Sequence, residues 1–262
     1  MNKMLTYFDV HGHIQLSDYD ADREEVIRRA SELGIGMIIV GTDARSSKKA
    51  VALAEAHEGT WACVGIHPTD IEGDIDFPSV QELARHPKVV AIGECGLDFF
   101  HSKPEAIPFQ KEVLLQHINL AKKVKKPLML HVRNAKVPTT NAYQETISIL
   151  KEHPEVRANF HFFAGTIQDS NDIVAMGHSL SFNGVLTFAR DYDEIVKTVP
   201  LAHIMSETDC PYVAPAPYRG KRNESSYVTE VVKKIAEIRG EELDVVAKQL
   251  AQNAKDFFNC AG

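Results

Sequence analysis

Short runs of apolar and β-branched residues alternate along the chain with longer stretches in which apolar residues recur every three or four positions. Residues 5–10 have the first pattern, 21–33 the second, and 37–40 return to the first, which together make a strand, helix, strand unit. Further strand-like runs fall at 60–65, 89–93, 127–132, 158–162, 179–182 and 204–205, giving eight in all. Helical spacing fills the intervals at 46–57, 79–86, 106–125, 141–152, 169–176 and 192–198, and 226–239 follows the last strand. Eight strands alternating with helices in 262 residues argue for an α/β (β/α)8 TIM barrel over an open doubly wound sheet. No Gly/Ser/Pro-rich linker, low-complexity tract or fixed-period repeat divides the chain, so one domain over 1–262 is expected.

Composition narrows the class without changing the fold. With 44% hydrophobic and 25% charged residues the chain can bury a sizeable core, which removes disordered, collagen-like and fibrous classes. A formal net charge of −7 opposes coating of nucleic acid by bulk positive field, though a local basic patch can still hold phosphates. Cys63, Cys95, Cys210 and Cys260 form no Cys-x-x-Cys pair, so buried reduced thiols are expected rather than a zinc knuckle or a disulfide framework. Lys3 and Asp9 interrupt the first ten residues, which read neither as a signal peptide nor as a membrane helix. A cytoplasmic monomer with no membrane association and no obligate protein partner is the expectation.

Histidine is the unusual entry, with twelve in the chain. His57, His86, His153 and His178 fall at the C-terminal ends of expected helices, where an imidazole favours the negative end of the helix dipole. His117 lies inside a long helix and His203 before a strand, both structural positions, while His101 lies in a loop after a strand. The remaining five, His11, His13, His67, His131 and His161, all sit at or just past the C-terminal ends of expected strands. On a barrel that face carries the catalytic groups.

His11 and His13 are two residues apart, and a strand repeats its side-chain direction every second residue, so both imidazoles point to the barrel mouth. Glu94 and Asp209 end the fourth and eighth strands. Two carboxylates among imidazoles in one cavity are costly to bury without a compensating cation. Nitrogen and oxygen ligands without thiolate suit divalent ions such as zinc, manganese or magnesium, and a carboxylate can bridge two of them. A two-metal clamp activates water and stabilises both attacking and leaving oxygens of an in-line displacement. A closed structural site would more often use four ligands including cysteine.

The motifs Phe8-Asp9-Val10-His11-Gly12-His13, Gly65-Ile66-His67-Pro68, Ile92-Gly93-Glu94-Cys95-Gly96-Leu97-Asp98, His131-Val132-Arg133-Asn134-Ala135, His161-Phe162-Phe163-Ala164-Gly165, Ser181-Phe182-Asn183-Gly184 and Glu207-Thr208-Asp209-Cys210-Pro211-Tyr212 run in order across nearly the whole chain. As an ordered set they resemble the TatD-related deoxyribonucleases, a branch of the amidohydrolase-like barrels. The resemblance implies one metal on His11, His13 and Asp209, a second on His131 and His161, and Glu94 bridging. It also implies metal-dependent hydrolysis of DNA phosphodiesters, often from a 3′ end, with Asp209 orienting or deprotonating the attacking water; Glu94 and Asp209 are the expected catalytic residues. The chain departs from the family pattern after His161, where a cysteine and then Phe-Ser-Gly are more usual, and at Ser225, which stands for the proline of an Arg-Asn-Glu-Pro element. The segment 136–143 is longer than usual beside His131.

Arg219, Lys221 and Arg222 form the densest basic cluster near an expected strand end, and Arg133 and Lys136 follow His131. Attached to the metal face, Arg133, Arg219 and Arg222 supply phosphate-positioning charge. His67, not needed as a ligand in this scheme, either donates to the scissile phosphate or has a structural hydrogen-bonding role beside Pro68. The expected activity is therefore 3′-5′ exonucleolytic cleavage of single-stranded or short DNA with two divalent ions, Mg²⁺, Mn²⁺ or Zn²⁺. Two other readings use the same residues: a small-molecule amide, ester or lactone hydrolase, and a non-catalytic interaction protein with a vestigial site. Glu94 stands where some related hydrolases carry a carboxylated lysine, which weighs against the first, and the complete ligand set weighs against the second.

Overall fold

The computed structural model describes residues 5–71, 75–136 and 141–260. Eight strands form one sheet in sequence order: β1 (Tyr7–Gly12), β2 (Ile35–Val40), β3 (Thr60–Val64), β4 (Val89–Asp98), β5 (Leu128–Arg133), β6 (Ala158–Phe160), β7 (Ser179–Phe182) and β8 (Ile204–Ser206). Every paired neighbour is parallel. β8 meets β1 through a parallel bridge between Gly12 and Cys210. There the Asp209 N–H donates to His11 O at 2.8 Å and the His13 N–H to Cys210 O at 2.7 Å, drawing the ring shut. This is the α/β TIM barrel that the alternation predicts.

The helices between and after the strands are α1 (Arg23–Glu32), α2 (Ala44–Ala56), α3 (Phe77–Leu83), α4 (Ile107–Val124), α5 (Ala142–Lys151), α6 (Ile167–Ala175), α7 (Asp193–Thr198), α8 (Val228–Arg239) and α9 (Leu243–Phe258). Their starts follow local chemistry. Asp43 and Ser46 form a capping box on α2, and Thr166 and Asp169 form one on α6, each satisfying amides that have no partner within the helix. α8 stops at Gly240, whose φ of 65° suits a left-handed C-cap. β2 and β4 are buried at every position, as expected of a parallel sheet covered on both faces.

Two differences from the sequence expectation bear on the site. β4 does not stop at 93 but runs on to Asp98, carrying Glu94 within the sheet. Gly93 and Gly96 permit this: their φ values are 150° and 145°, and a Cβ there would lie 2.3 Å from Met129 O and 2.0 Å from His131 O, respectively. Glycine lets β5 approach more closely than any side chain would allow. The second difference is α9, which lies beyond the eight expected units. Its Ala251, Ala254, Phe257 and Phe258 share a core with Phe8, Trp61, Val90, Met129 and Met205, mostly from the first halves of the strands. α9 thus packs at the end of the barrel away from the histidines. Trp61 stacks on Phe8 with ring centroids 5.5 Å apart.

All four cysteines are buried and free, as expected. Among the described residues no helix is long and apolar enough to cross a membrane. Of the segment 136–143, residues 137–140 lie outside the described residues, and with them the expectation about access to the cleft.

Candidate metal centre

Glu94 is the hub of the site, buried in β4, and its two carboxylate oxygens face different histidines. Toward Oε1 point His161 Nε2 at 2.8 Å, His131 Nδ1 at 3.1 Å and His67 Nε2 at 3.4 Å. Toward Oε2 point His11 Nε2 at 3.3 Å and His13 Nε2 at 3.7 Å. Asp209 Oδ1 closes the second group, 3.4 Å from His13 Nε2 and 3.9 Å from His11 Nε2. Asp209 reaches this position with a φ of 54°, an uncommon left-handed conformation for a residue with a side chain, held by the strand-closing bond to His11 O.

A second tier of groups orients the rings. His13 Nδ1 donates to Val40 O at 2.8 Å, which turns Nε2 into the cavity. His131 Nε2 donates to Asp98 Oδ2 at 2.9 Å, and the same oxygen accepts from His101 Nδ1 at 2.8 Å. Glu207 Oε1 lies 3.5 Å from His161 Nδ1, and its carboxylate accepts from the Phe162 N–H at 2.8 Å and from the Ser181 hydroxyl. Asp9 accepts from the Thr208 N–H at 2.8 Å and the Thr208 hydroxyl at 2.7 Å, tying β1 to the residue before Asp209. His67 Nδ1 accepts from the Thr69 N–H at 3.2 Å, so the ring proton sits on Nε2 and faces the cavity.

Asp98 and Glu207, which lie behind the rings of His131 and His161, are not among the expected site residues, although both stand in the motifs that carry them. Asp98 is four residues after Glu94, and Glu207 two before Asp209, spacings that keep side chains on one face of an extended chain. That parity is the signal available in the sequence.

The electrostatics favour positive charge at the centre. Burial pushes the Glu94 carboxyl up, but His161, His67 and His11 outweigh it and hold the group well below the usual carboxylate range. Asp209 is also lowered, with burial opposed by its bond to His13 and the neighbouring rings. Burial lowers His161, but Glu94 and Glu207 overcome it and raise the ring well above its ordinary value. His11 moves the other way, lowered by burial and by His161.

Among the described residues, three groups have ligand atoms that lie within 4.8 Å of one another: His11, His13 and Glu94; His67, Glu94 and His131; and His11, His161 and Glu207. His11 Nε2 and His13 Nε2 are only 3.2 Å apart, and His161 Nε2 and His131 Nδ1 only 3.4 Å. The buried Nδ1 atoms of His11 and His161 make no hydrogen bond. Ring nitrogens converging on each other and on buried carboxylates need a shared positive charge, and an all-nitrogen-and-oxygen donor set fits a divalent cation.

All six residues expected to hold metal therefore converge, and His67 joins them. His11 lies fully buried beneath the others, which line a cavity of about 680 Å³ that also takes in Arg133, His101, Phe162 and Tyr212. Arg219 and Arg222 are not brought to it. Arg222 is claimed by Asp22, with Nη1 and Nη2 donating to the two carboxylate oxygens at 2.8 and 2.6 Å, and it lies over the Tyr19 ring. Arg219 packs on Phe188, its Cζ 3.5 Å from the ring centroid. Both cations are spent on the fold beside the site, which corrects the expectation that they line it.

A family model described as TatD related DNase matches residues 8–259. A Bacillus subtilis protein named as an uncharacterized metal-dependent hydrolase, YabD, is 38% identical over 96% of this chain and 98% of its own length. A 3′-5′ ssDNA/RNA exonuclease TatD of Erwinia tasmaniensis is 32% identical over 96% of this chain and 99% of its own. Among solved structures, the YjjV TatD homologue of Escherichia coli superposes with a TM-score of 0.87 at 28% identity, covering 98% of this chain and 99% of that one.

Proposed function

Because the chain belongs to the TatD-related DNase family, we propose that it is a 3′-5′ exonuclease that removes nucleotides from single-stranded or short DNA with two divalent cations in its site. It is a metal-dependent hydrolase acting on ester bonds. The observation that carries the finer reading is the division of Glu94, with Oε1 toward His161, His131 and His67 and Oε2 toward His11 and His13. A carboxylate so divided suits a bridge between two cations, one on His11, His13 and Asp209 and the other on His131 and His161. When bound, such cations polarise the phosphate and lower the pKa of water, generating a nucleophile near neutral pH.

The chain's own groups do the rest. Asp209 Oδ1 faces the cavity beside His13 and is placed to orient the attacking water and take its proton. Asp98 fixes the tautomer of His131, and the Glu207 carboxylate stands as a negative charge behind His161. His67, with its proton on Nε2, donates to a non-bridging phosphate oxygen. Arg133, partly exposed on the cavity wall, supplies a charge-assisted donor to the phosphate.

A second reading, hydrolysis of a small phosphate or carboxylic ester, draws on one observation: among the described residues lining the cavity, Arg133 is the sole lysine or arginine. Single-stranded oligonucleotides labelled at the 3′ or 5′ end, incubated with Mg²⁺ or Mn²⁺, decide between them. Stepwise loss of the 3′ label first is expected. Glu94→Ala and Asp209→Ala are expected to abolish shortening while keeping the circular dichroism spectrum. Ester hydrolysis by a protein that leaves every oligonucleotide intact would sink the nuclease reading.

A further inference from the structure

The two sides of the cavity differ in chemistry. In a ring of eight strands taken in order, β4 and β8 stand opposite one another. On the β4 and β5 side Arg133 lies over Phe100, its Cζ 5.3 Å from the ring centroid, and Lys136 Nζ lies 4.6 Å from the same ring. No carboxylate pairs with either cation among the described residues. The opposite side, after β8 and β1, presents Tyr212, Val213 and Leu16 to the cavity, with no cation among its described lining residues.

Tyr212 stands out on that side. It is 53% exposed, and among the described residues its hydroxyl has no hydrogen bond, so about half of the residue and its polar end stay open to solvent. Its backbone is nevertheless pinned twice, the N–H donating to Asp209 O at 2.9 Å and Asn223 Nδ2 donating to Tyr212 O at 2.6 Å. The ring stands edge-on to His13, centroids 6.3 Å apart. A half-exposed aromatic on a pinned backbone, beside the reacting centre and away from the cationic side, offers a stacking surface, and every nucleobase offers it a π-face.

We infer that Tyr212 stacks on the terminal nucleobase of the strand being cut, while the preceding phosphates leave across Arg133, Phe100 and Lys136. The inference rests on the nuclease reading and adds which end of the substrate lies on which wall. Tyr212 thereby sets KM and the placement of the last nucleotide, and leaves the hydrolytic step to the groups already described.

The test is a cycle of two variants and two substrates, using full-length protein loaded with Mn²⁺. Tyr212→Ala is expected to lower kcat/KM on a single-stranded oligonucleotide about tenfold, chiefly through KM, the size of one lost base–aromatic stack. Tyr212→Phe is expected to restore it. On the same oligonucleotide ending in an abasic residue, wild type is expected to fall to the level of Tyr212→Ala, and the two then cleave alike. An equal loss in Tyr212→Phe, or an undiminished tenfold gap on the abasic strand, overturns stacking. Wild type that degrades DNA with Tyr212→Ala unimpaired overturns this inference alone. Wild type that hydrolyses methyl p-nitrophenyl phosphate but no oligonucleotide overturns the nuclease reading and this inference with it.

Discussion

Asp98 sits between two imidazoles and touches neither the cavity nor solvent, yet it decides which nitrogen His131 turns toward Glu94. Replacing it with asparagine keeps an acceptor for the Phe100 and His101 amides, which Asp98 Oδ1 now serves at 2.8 and 2.7 Å, while removing the charge behind His131. Loss of such a carboxylate behind a ligating histidine typically costs about 10–100-fold in metal affinity. Isothermal titration of Asp98→Asn with Mn²⁺ is expected to fall in that range with the fold intact; wild-type affinity would show that the pair only braces the loop. At this scale the sequence is most legible where a side chain meets the substrate side. The His11 and His13 pair, Glu94 and Asp209 all announce themselves by type and strand position. Arg222 does not, because the Asp22 that claims it is 200 residues away and nothing local marks the pairing.

Between elements, His117 ties α4 to the end of β3. Its Nδ1 donates to Val113 O at 2.8 Å and its Nε2 accepts from the Ile66 N–H at 3.0 Å, fixing the peptide before His67. Burial lowers its pKa from 6.5 to about 4, and the Val113 bond only partly opposes this. A histidine held neutral in the fold contributes stability that is complete above its unfolded pKa of 6.5 and is lost as pH falls toward 4. The gap is worth roughly 3 kcal/mol. Urea midpoints of wild type and His117→Gln are expected to differ most at pH 7 and to converge by pH 4; a constant difference would refute the linkage. His178, lowered to about 4 by burial, adds to the loss over the same window. Element order was legible because strands and helices carry different periods. The true reach of β4 was not, since Gly93 and Gly96 read as interruptions until the close approach of β5 shows why they are needed. α9 does have helical spacing, with Val246, Ala247, Leu250, Ala251 and Ala254 buried along one face, but a count of eight units leaves no place for it.

Across the whole molecule, charge is arranged so that affinity for a polyanion is local. The net charge is −7, and Arg133 is the lone arginine or lysine among the described residues lining the cavity, with Lys136 nearby. On the nuclease reading, a strand in this cavity would have few of its phosphates neutralised by side chains. Raising salt from about 50 to 200 mM is expected to reduce kcat/KM on single-stranded DNA by less than about tenfold, against the 10³–10⁵ of a protein making many phosphate contacts. A steep dependence would place the strand on a basic surface other than this cavity. The seam between β1 and β8 carries a different consequence. His11 and His13 precede Asp209 by almost 200 residues, and Thr208 meets Asp9 across 199 residues of chain. During synthesis the early histidines wait for the eighth strand to close the ring before the carboxylate can join them. Until β8 has joined β1, a growing chain is thus without the full set of groups around Glu94, and competence waits for that strand.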